Sequence, residues 1–170
     1  MTKIYHTQAK TGDAATKTAL RAGAADAGIL HLAAHYRPNT DNPLFSQLLM
    51  APSEKSSGAL ELHEVYALDL RRSSLVVISA CQTQLGARTR GDDIVALSRA
   101  FMYAGTPTAI ASLWSVDDKS TVELMTSFYT HLKEGMSKAS ALRTAQVETR
   151  ANHPNPYYWA GFVLTGNPGE

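Results

Sequence analysis

The chain has 170 residues, 44% of them hydrophobic and 18% charged, with a formal net charge of +1. That length supports one domain with a sizeable core and gives no reason to expect two. The near-neutral charge, without any Arg/Lys run interleaved with aromatics, leaves no nucleic-acid footprint, and no apolar stretch approaches the roughly 20 residues that cross a bilayer. The amino terminus lacks the basic-then-apolar layout of a secretion signal, and the only cysteine, Cys81, permits no internal disulfide. The expected setting is therefore the reducing cytoplasm, with no membrane or nucleic-acid partner.

In chain order, residues 3–8 read as a short strand and residues 13–21 as a helix after the Gly12-Asp13 start signal. The apolar run 28–34 is a strand that ends on His35. Residues 38–43 hold two prolines and two asparagines and form a loop. A strand near 48–51, a Ser/Lys/Gly turn at 52–58 and a short helix near 62–68 follow. The second apolar strand, 75–80, ends on Cys81 and opens into the turn-like 82–86. Ile94, Leu97, Phe101 and Met102 recur at helical spacing, and Gly105 with Pro107 just beyond it is a helix stop. A strand over 108–114 comes next, then a helix carrying Val122, Met125, Phe128, Tyr129 and Leu132 on one face. A helix over 137–150 and a strand over 158–165 close the chain. Strands separated by helices are the pattern of parallel βαβ units, so the fold class is α/β.

Open α/β sheets bind ligands at the carboxyl edge of their strands. Two strands ending on His35 and Cys81 therefore suggest a cysteine-nucleophile enzyme, because a thiolate attacks and a nearby imidazole both favours ionisation and returns a proton to the leaving group. Taken alone, a cysteine after an apolar strand is more often a small core residue. His31 competes with His35 for the role of base. Four residues apart on a strand, the two share a side, but only His35 lies where the loop begins. Their spacing would suit zinc on a helix, yet the segment reads as a strand without a third ligand, so neither metal nor cofactor is expected. His6, His63, His131 and His153 read as surface or cap residues, and Trp114 and Trp159 as wall and core.

The segments 30–35 (LHLAAH), 75–86 (LVVISACQTQLG), 99–105 (RAFMYAG), 113–118 (LWSVDD) and 156–165 (PYYWAGFVLT) resemble, in order, successive blocks of the CHAT protease family, caspase-like domains often found behind tetratricopeptide repeats and distantly similar to separase. The resemblance covers nearly the whole chain. It implies a single domain over residues 1–170 with a caspase-like three-layer α/β fold and a mostly parallel sheet. It further implies a cysteine endopeptidase with Cys81 as nucleophile and His35 as its partner, and an oxyanion hole made by the backbone N–H groups of Cys81 and of the residue after the histidine. That residue is typically glycine in the family and is Tyr36 here, which resists positive φ and whose side chain could crowd the substrate carbonyl. Asp117 and Asp118 have two readings. Either caps the helix that follows, with Glu123 adding favourable charge, or one of them receives a substrate arginine, as an aspartate in the similar segment of separase-like relatives does. Asp92 and Asp93 lie in the nearby loop, and cleavage after a basic residue is favoured over cleavage after an acidic one.

Two further expectations follow from the family. Its core normally begins with a strand and helix for which this chain has no sequence, so the domain reads as its carboxy-terminal catalytic part, with unpaired backbone and an apolar strip beside the gap. The partners implied are a protein or peptide substrate and an upstream tetratricopeptide-repeat region or partner chain. The alternative from another class is a pseudoprotease, an interaction or scaffold module that keeps the fold without turnover. A flavodoxin-like small-molecule binder would need a phosphate-binding glycine loop after a strand, and none is apparent.

Overall fold

A computed structural model describes residues 1–54, 56–82 and 91–169, with side chains over 1–54, 56–79 and 95–169. The turn expected after Cys81 over 83–86, and the side chains of Cys81, Asp92, Asp93 and Ile94, lie outside the described residues.

The two apolar runs become the parallel centre of the sheet: β1 (Ile29–Arg37) and β4 (Leu75–Gln82). Around them stand β2 (Gln47–Leu49), β3 (Ala59–Glu61), β5 (Thr108–Ser112) and β6 (Phe162–Gly166), in the order β3-β2-β1-β4-β5-β6. β1, β4 and β5 run parallel, while β2, β3 and β6 are added antiparallel at the two sides. Each parallel step needs a crossover, and helices supply it. α2 (Lys17–Ala24), α3 (Leu62–Val65) and α4 (Gly91–Tyr103) cover one face; α5 (Asp118–Lys133) and α6 (Lys138–Asn152) cover the other. The result is a three-layer mixed α/β fold of the caspase-like kind.

Strand alternation divides the core. Val76 and Ile78 of β4 join Leu20, Leu62, Val65, Leu97 and Phe101 on the first face, whereas Leu75 and Val77 join Leu124, Phe128, Tyr129 and Ala145 on the second. These four β4 side chains are fully buried, each worth roughly 1.5–3 kcal/mol of burial. β1 is different. Its residues 29–35 are only half-buried or exposed although the strand lies inside the sheet. β2 pairs with β1 only at His35, Tyr36 and Arg37. Over residues 29–34 the flank of β1 away from β4 has no strand partner and makes no backbone hydrogen bond among the described residues.

Several elements differ from the sequence reading. Residues 3–8 hold no strand. They begin as the helix α1 (Thr2–Tyr5), stopped by His6 in the left-handed region at φ 52°. Ile4 and Tyr5 pack on the α5/α6 side, Tyr5 edge-on to Tyr129 at 5.9 Å, so this segment is held by a helix rather than by a sheet edge. The helix expected over 13–21 is a short turn at Gly12–Ala14 followed by α2, whose first turn is capped by the Thr16 hydroxyl accepting from the Ala19 N–H at 3.1 Å. β3 is too short for periodicity to reveal, with only Leu60 buried. Val122 is 66% exposed, and Leu124 takes its place in the buried stripe with Met125, Phe128 and Tyr129.

Candidate active site

β1 and β4 start in register, Ile29 beside Leu75, and stay so to their ends. Six residues up each strand, His35 is therefore the register partner of Cys81. Paired positions on adjacent parallel strands share one face of the sheet. The His35 side chain is exposed there.

His31 lies on the same face, beside Val77, about 13 Å down the strand from position 35 at the usual rise per residue. Its Nδ1 is 2.7 Å from the Tyr129 hydroxyl, and the two rings are 5.7 Å apart. Burial, followed by the positive charge of the chain's amino terminus, pushes the His31 imidazole down to about 4. Burial raises the Tyr129 phenol. Both groups are thus held neutral at ordinary pH, and His31 is a packed, hydrogen-bonded residue one layer beneath the strand end.

Tyr36 points the other way. Its side chain is 1% exposed and sits in the cluster under α3 and α4, opposite the face that His35 occupies. Among the described residues His6 is the only non-glycine with positive φ, so Tyr36 needs no glycine-like backbone. The positive φ that would strain a tyrosine at this position is absent. Its backbone is in register with Leu48 of β2 on one flank and Gln82 of β4 on the other.

Beyond β5 the chain turns through residues 113–117 into α5. Asp117 is the N-cap: its carboxylate accepts from the Ser120 N–H at 2.9 Å, and that bond is the main cause of its lowered pKa. Asp118 is the first residue of the helix and is exposed. The turn is braced from the end of the chain. Trp114 Nε1 donates to the Tyr157 carbonyl at 3.1 Å, the Tyr157 hydroxyl donates to the Ser115 carbonyl at 2.7 Å, and the Leu113 N–H donates to the Gly161 carbonyl at 2.7 Å. A side chain at Gly161 would meet Val116 Cγ1 at 2.8 Å and the Trp114 ring at 3.2 Å, so only glycine lets the two segments approach. Residues 156–161 thus buttress the turn that presents Asp117 and Asp118, a role that sequence reasoning had not assigned. Trp114 closes the wall here.

A feature with no sequence signal lies on the other side of His35. Arg37, Pro38, Asn39, Thr40, Phe45 and Gln47 line a cavity of about 320 Å³ at the end of β1. No group of three or more His, Cys, Asp or Glu placed to hold a metal ion is found among the described residues, and no helix among them is long and apolar enough to cross a membrane.

Comparison with known proteins bears on this arrangement. The family model of the CHAT domain matches residues 2–167. The chain belongs to the CHAT domain family. Relatives of this CHAT domain include tetratricopeptide repeat protein 28 of Mus musculus, 32% identical over 102 residues, and the Homo sapiens protein of the same name, 30% identical over 102 residues. Each match covers 59% of this chain but 4% of the relative, so the chain spans a small fraction of the length of these tetratricopeptide repeat proteins. In this CHAT domain the strand ends, and not a helix or loop far from the sheet, bring the histidine and cysteine positions level.

Proposed function

We propose that this CHAT domain is a cysteine endopeptidase that cleaves protein substrates after a basic residue. The supporting observation is the register of His35 with Cys81 at the carboxyl ends of two parallel strands. In this reading His35 takes the Sγ proton, and the thiolate attacks the scissile carbonyl carbon. The negative oxygen accepts from the backbone N–H groups of Cys81 and Tyr36. The C–N bond breaks as His35 gives its proton to the leaving amine, and water then hydrolyses the thioester with His35 as base. Asp118 receives the arginine or lysine side chain, since the Asp117 carboxylate already caps α5. The open flank of β1 over residues 29–34 is the seat of a further strand, supplied by a tetratricopeptide-repeat-linked segment or by a partner chain.

One observation favours a second reading, a pseudoprotease acting as an interaction module. The Tyr36 backbone lies between two paired strands, and in this second reading its N–H serves the ladder rather than an oxyanion. A peptide-library cleavage assay on the wild type, Cys81→Ala, His35→Ala, Asp117→Asn and Asp118→Asn separates the two. Cleavage after Arg or Lys that is lost in Cys81→Ala and His35→Ala, with the basic preference relaxed in Asp118→Asn, supports the endopeptidase. Cleavage after Asp, or the same preference in both aspartate variants, sinks the acidic pocket. An absence of cleavage with the covering strand supplied favours the interaction module.

A further inference from the structure

The leaving amine must lie within reach of the group that protonates it. If His35 serves that amine, the residues after the scissile bond run from Cys81 past His35, across the ends of β1 and β2. The sheet order places the Asp117–Asp118 turn on the opposite side, beyond β5. Substrate polarity is thus written into the order β2-β1-β4-β5: the residue before the bond toward β5, the residues after it toward β2.

That second side ends in the cavity of about 320 Å³, at the lower end of the range for small-ligand pockets. Arg37 stands two positions beyond His35 on the same strand and face, about 7 Å along it. The guanidinium is exposed and makes no ion pair among the described residues; its Nη1 donates only a long bond of 3.5 Å to Gln47 Oε1. Gln47 is in turn held by its Nε2 bond to Glu61 Oε1 at 3.3 Å. Glu61 is the nearest carboxylate in this chain of contacts. It lies one strand further out, facing His63 at 3.3 Å, and it does not line the cavity. Asp41, in the adjoining loop, does not line it either.

The remaining wall is built before any ligand arrives. The Asn39 N–H donates to the buried Ser46 hydroxyl at 2.9 Å, and Asn39 Oδ1 accepts from the N–H groups of Asp41 at 3.2 Å and Asn42 at 2.9 Å. Phe45 is braced edge-on by His63, with ring centres 5.5 Å apart. A fixed polar cup with one cation and no lining carboxylate is complementary to an anion, and a guanidinium offers a carboxylate two parallel donors.

We infer that the cavity around Arg37 is the leaving-side subsite and selects a substrate with Asp or Glu within the first two residues after the scissile bond. This rests on the endopeptidase reading for the direction of the chain, but not for the chemistry of the cup. The test has two arms on the full chain. In the first, peptides with Arg before the bond and Glu or Gln at each of the two following positions are cleaved by wild type, Arg37→Lys and Arg37→Gln. A charge-assisted bond gives the Glu peptide a kcat/KM advantage over the Gln peptide of ~10-fold in wild type, a ratio partly kept in Arg37→Lys and lost in Arg37→Gln. In the second, the free-amine peptides Ala-Glu-Ala and Ala-Gln-Ala are titrated into Cys81→Ala and Cys81→Ala/Arg37→Gln, following amide resonances of residues 37–47.

Shifts by the Glu peptide alone, abolished in the double variant, support the subsite even when nothing is cleaved. That outcome would count against the endopeptidase and leave the cup standing. Cleavage with no Glu preference, or equal binding of the two peptides, overturns the subsite and leaves the endopeptidase. A circular-dichroism melt of Arg37→Gln matching wild type checks the fold.

Discussion

The two strands that carry the candidate dyad start level, run parallel and end level, yet they are built differently. β4 is bound by β1 along its length and by β5 at residues 76–78, and it buries Leu75, Val76, Val77 and Ile78 completely. β1 is bound along one flank by β4 and on the other only at its last three residues, and its side chains over residues 29–35 remain half-buried or exposed. Below their ends, β4 is the rigid reference and β1 over residues 29–34 is held by one neighbour, while at the end of β1 His35 is paired with both Leu49 and Cys81. The open stretch of β1 over residues 29–34 belongs at the low-stability end of the fold.

The largest effect should come from breaking the rigid side. Ile78→Ala removes a fully buried side chain and is expected to cost about 4 kcal/mol, against about 2 kcal/mol for Leu32→Ala on the half-buried strand. Urea unfolding of both variants measures the gap, and equal losses would remove the distinction. Hydrogen exchange sharpens it. Amides of residues 75–78 should exchange only by global unfolding, and those of residues 29–34 sooner.

The second effect belongs to the lower layer of β1. His31 is held at about 4 in the folded protein and returns to about 6.5 when unfolded. The unfolded chain therefore binds the extra proton first as the pH falls, so this contribution is complete above pH 6.5, is lost between 6.5 and 4, and levels off below. The loss is about 3 kcal/mol at roughly 1.4 kcal/mol per unit. It should appear as a falling urea midpoint in wild type and shrink in His31→Gln. An unchanged slope in that variant would remove His31 from the acid response.

The smallest effect separates the two aspartates beyond β5. Asp117→Ala removes the cap of α5 and should lower the melting temperature by about 3 °C. Asp118→Asn, which removes only a first-turn charge and no capping bond, should lower it by less. A reversed order would assign the cap to the wrong residue.

The sequence made the centre of the fold legible because two long apolar runs, each followed by a polar break, could only be buried strands. It also fixed α4, α5 and α6, whose length allows periodicity to speak. It failed where elements are short or where a neighbour decides. Residues 2–5 contain an apolar pair that suits a strand or a helix, and packing against α5 made it a helix. β3 has three residues, below the reach of an alternation pattern. β1 runs on to Arg37 because β2 pairs with its tip, a tertiary fact that no local signal carries. The candidate histidine was separable from its neighbour by position alone, and the structure adds the reason: His31 is occupied by Tyr129. The direction of the Tyr36 side chain was missed, because the expected crowding weighed the residue type and not the alternation that turns it into the core beneath the opposite face. The cup around Arg37 was invisible because its walls come from a strand end, a loop and a second strand.

The central claim is that His35, and not His31, acts on Cys81. Because Cys81 is the only thiol in the chain, the pH dependence of its alkylation by iodoacetamide in the folded protein reads this directly. The wild type and His31→Gln should share a profile with the thiol ionising below its ordinary value of about 8.5, and His35→Ala should return it to about 8.5. Identical profiles for wild type and His35→Ala would contradict the pairing of the two strand ends.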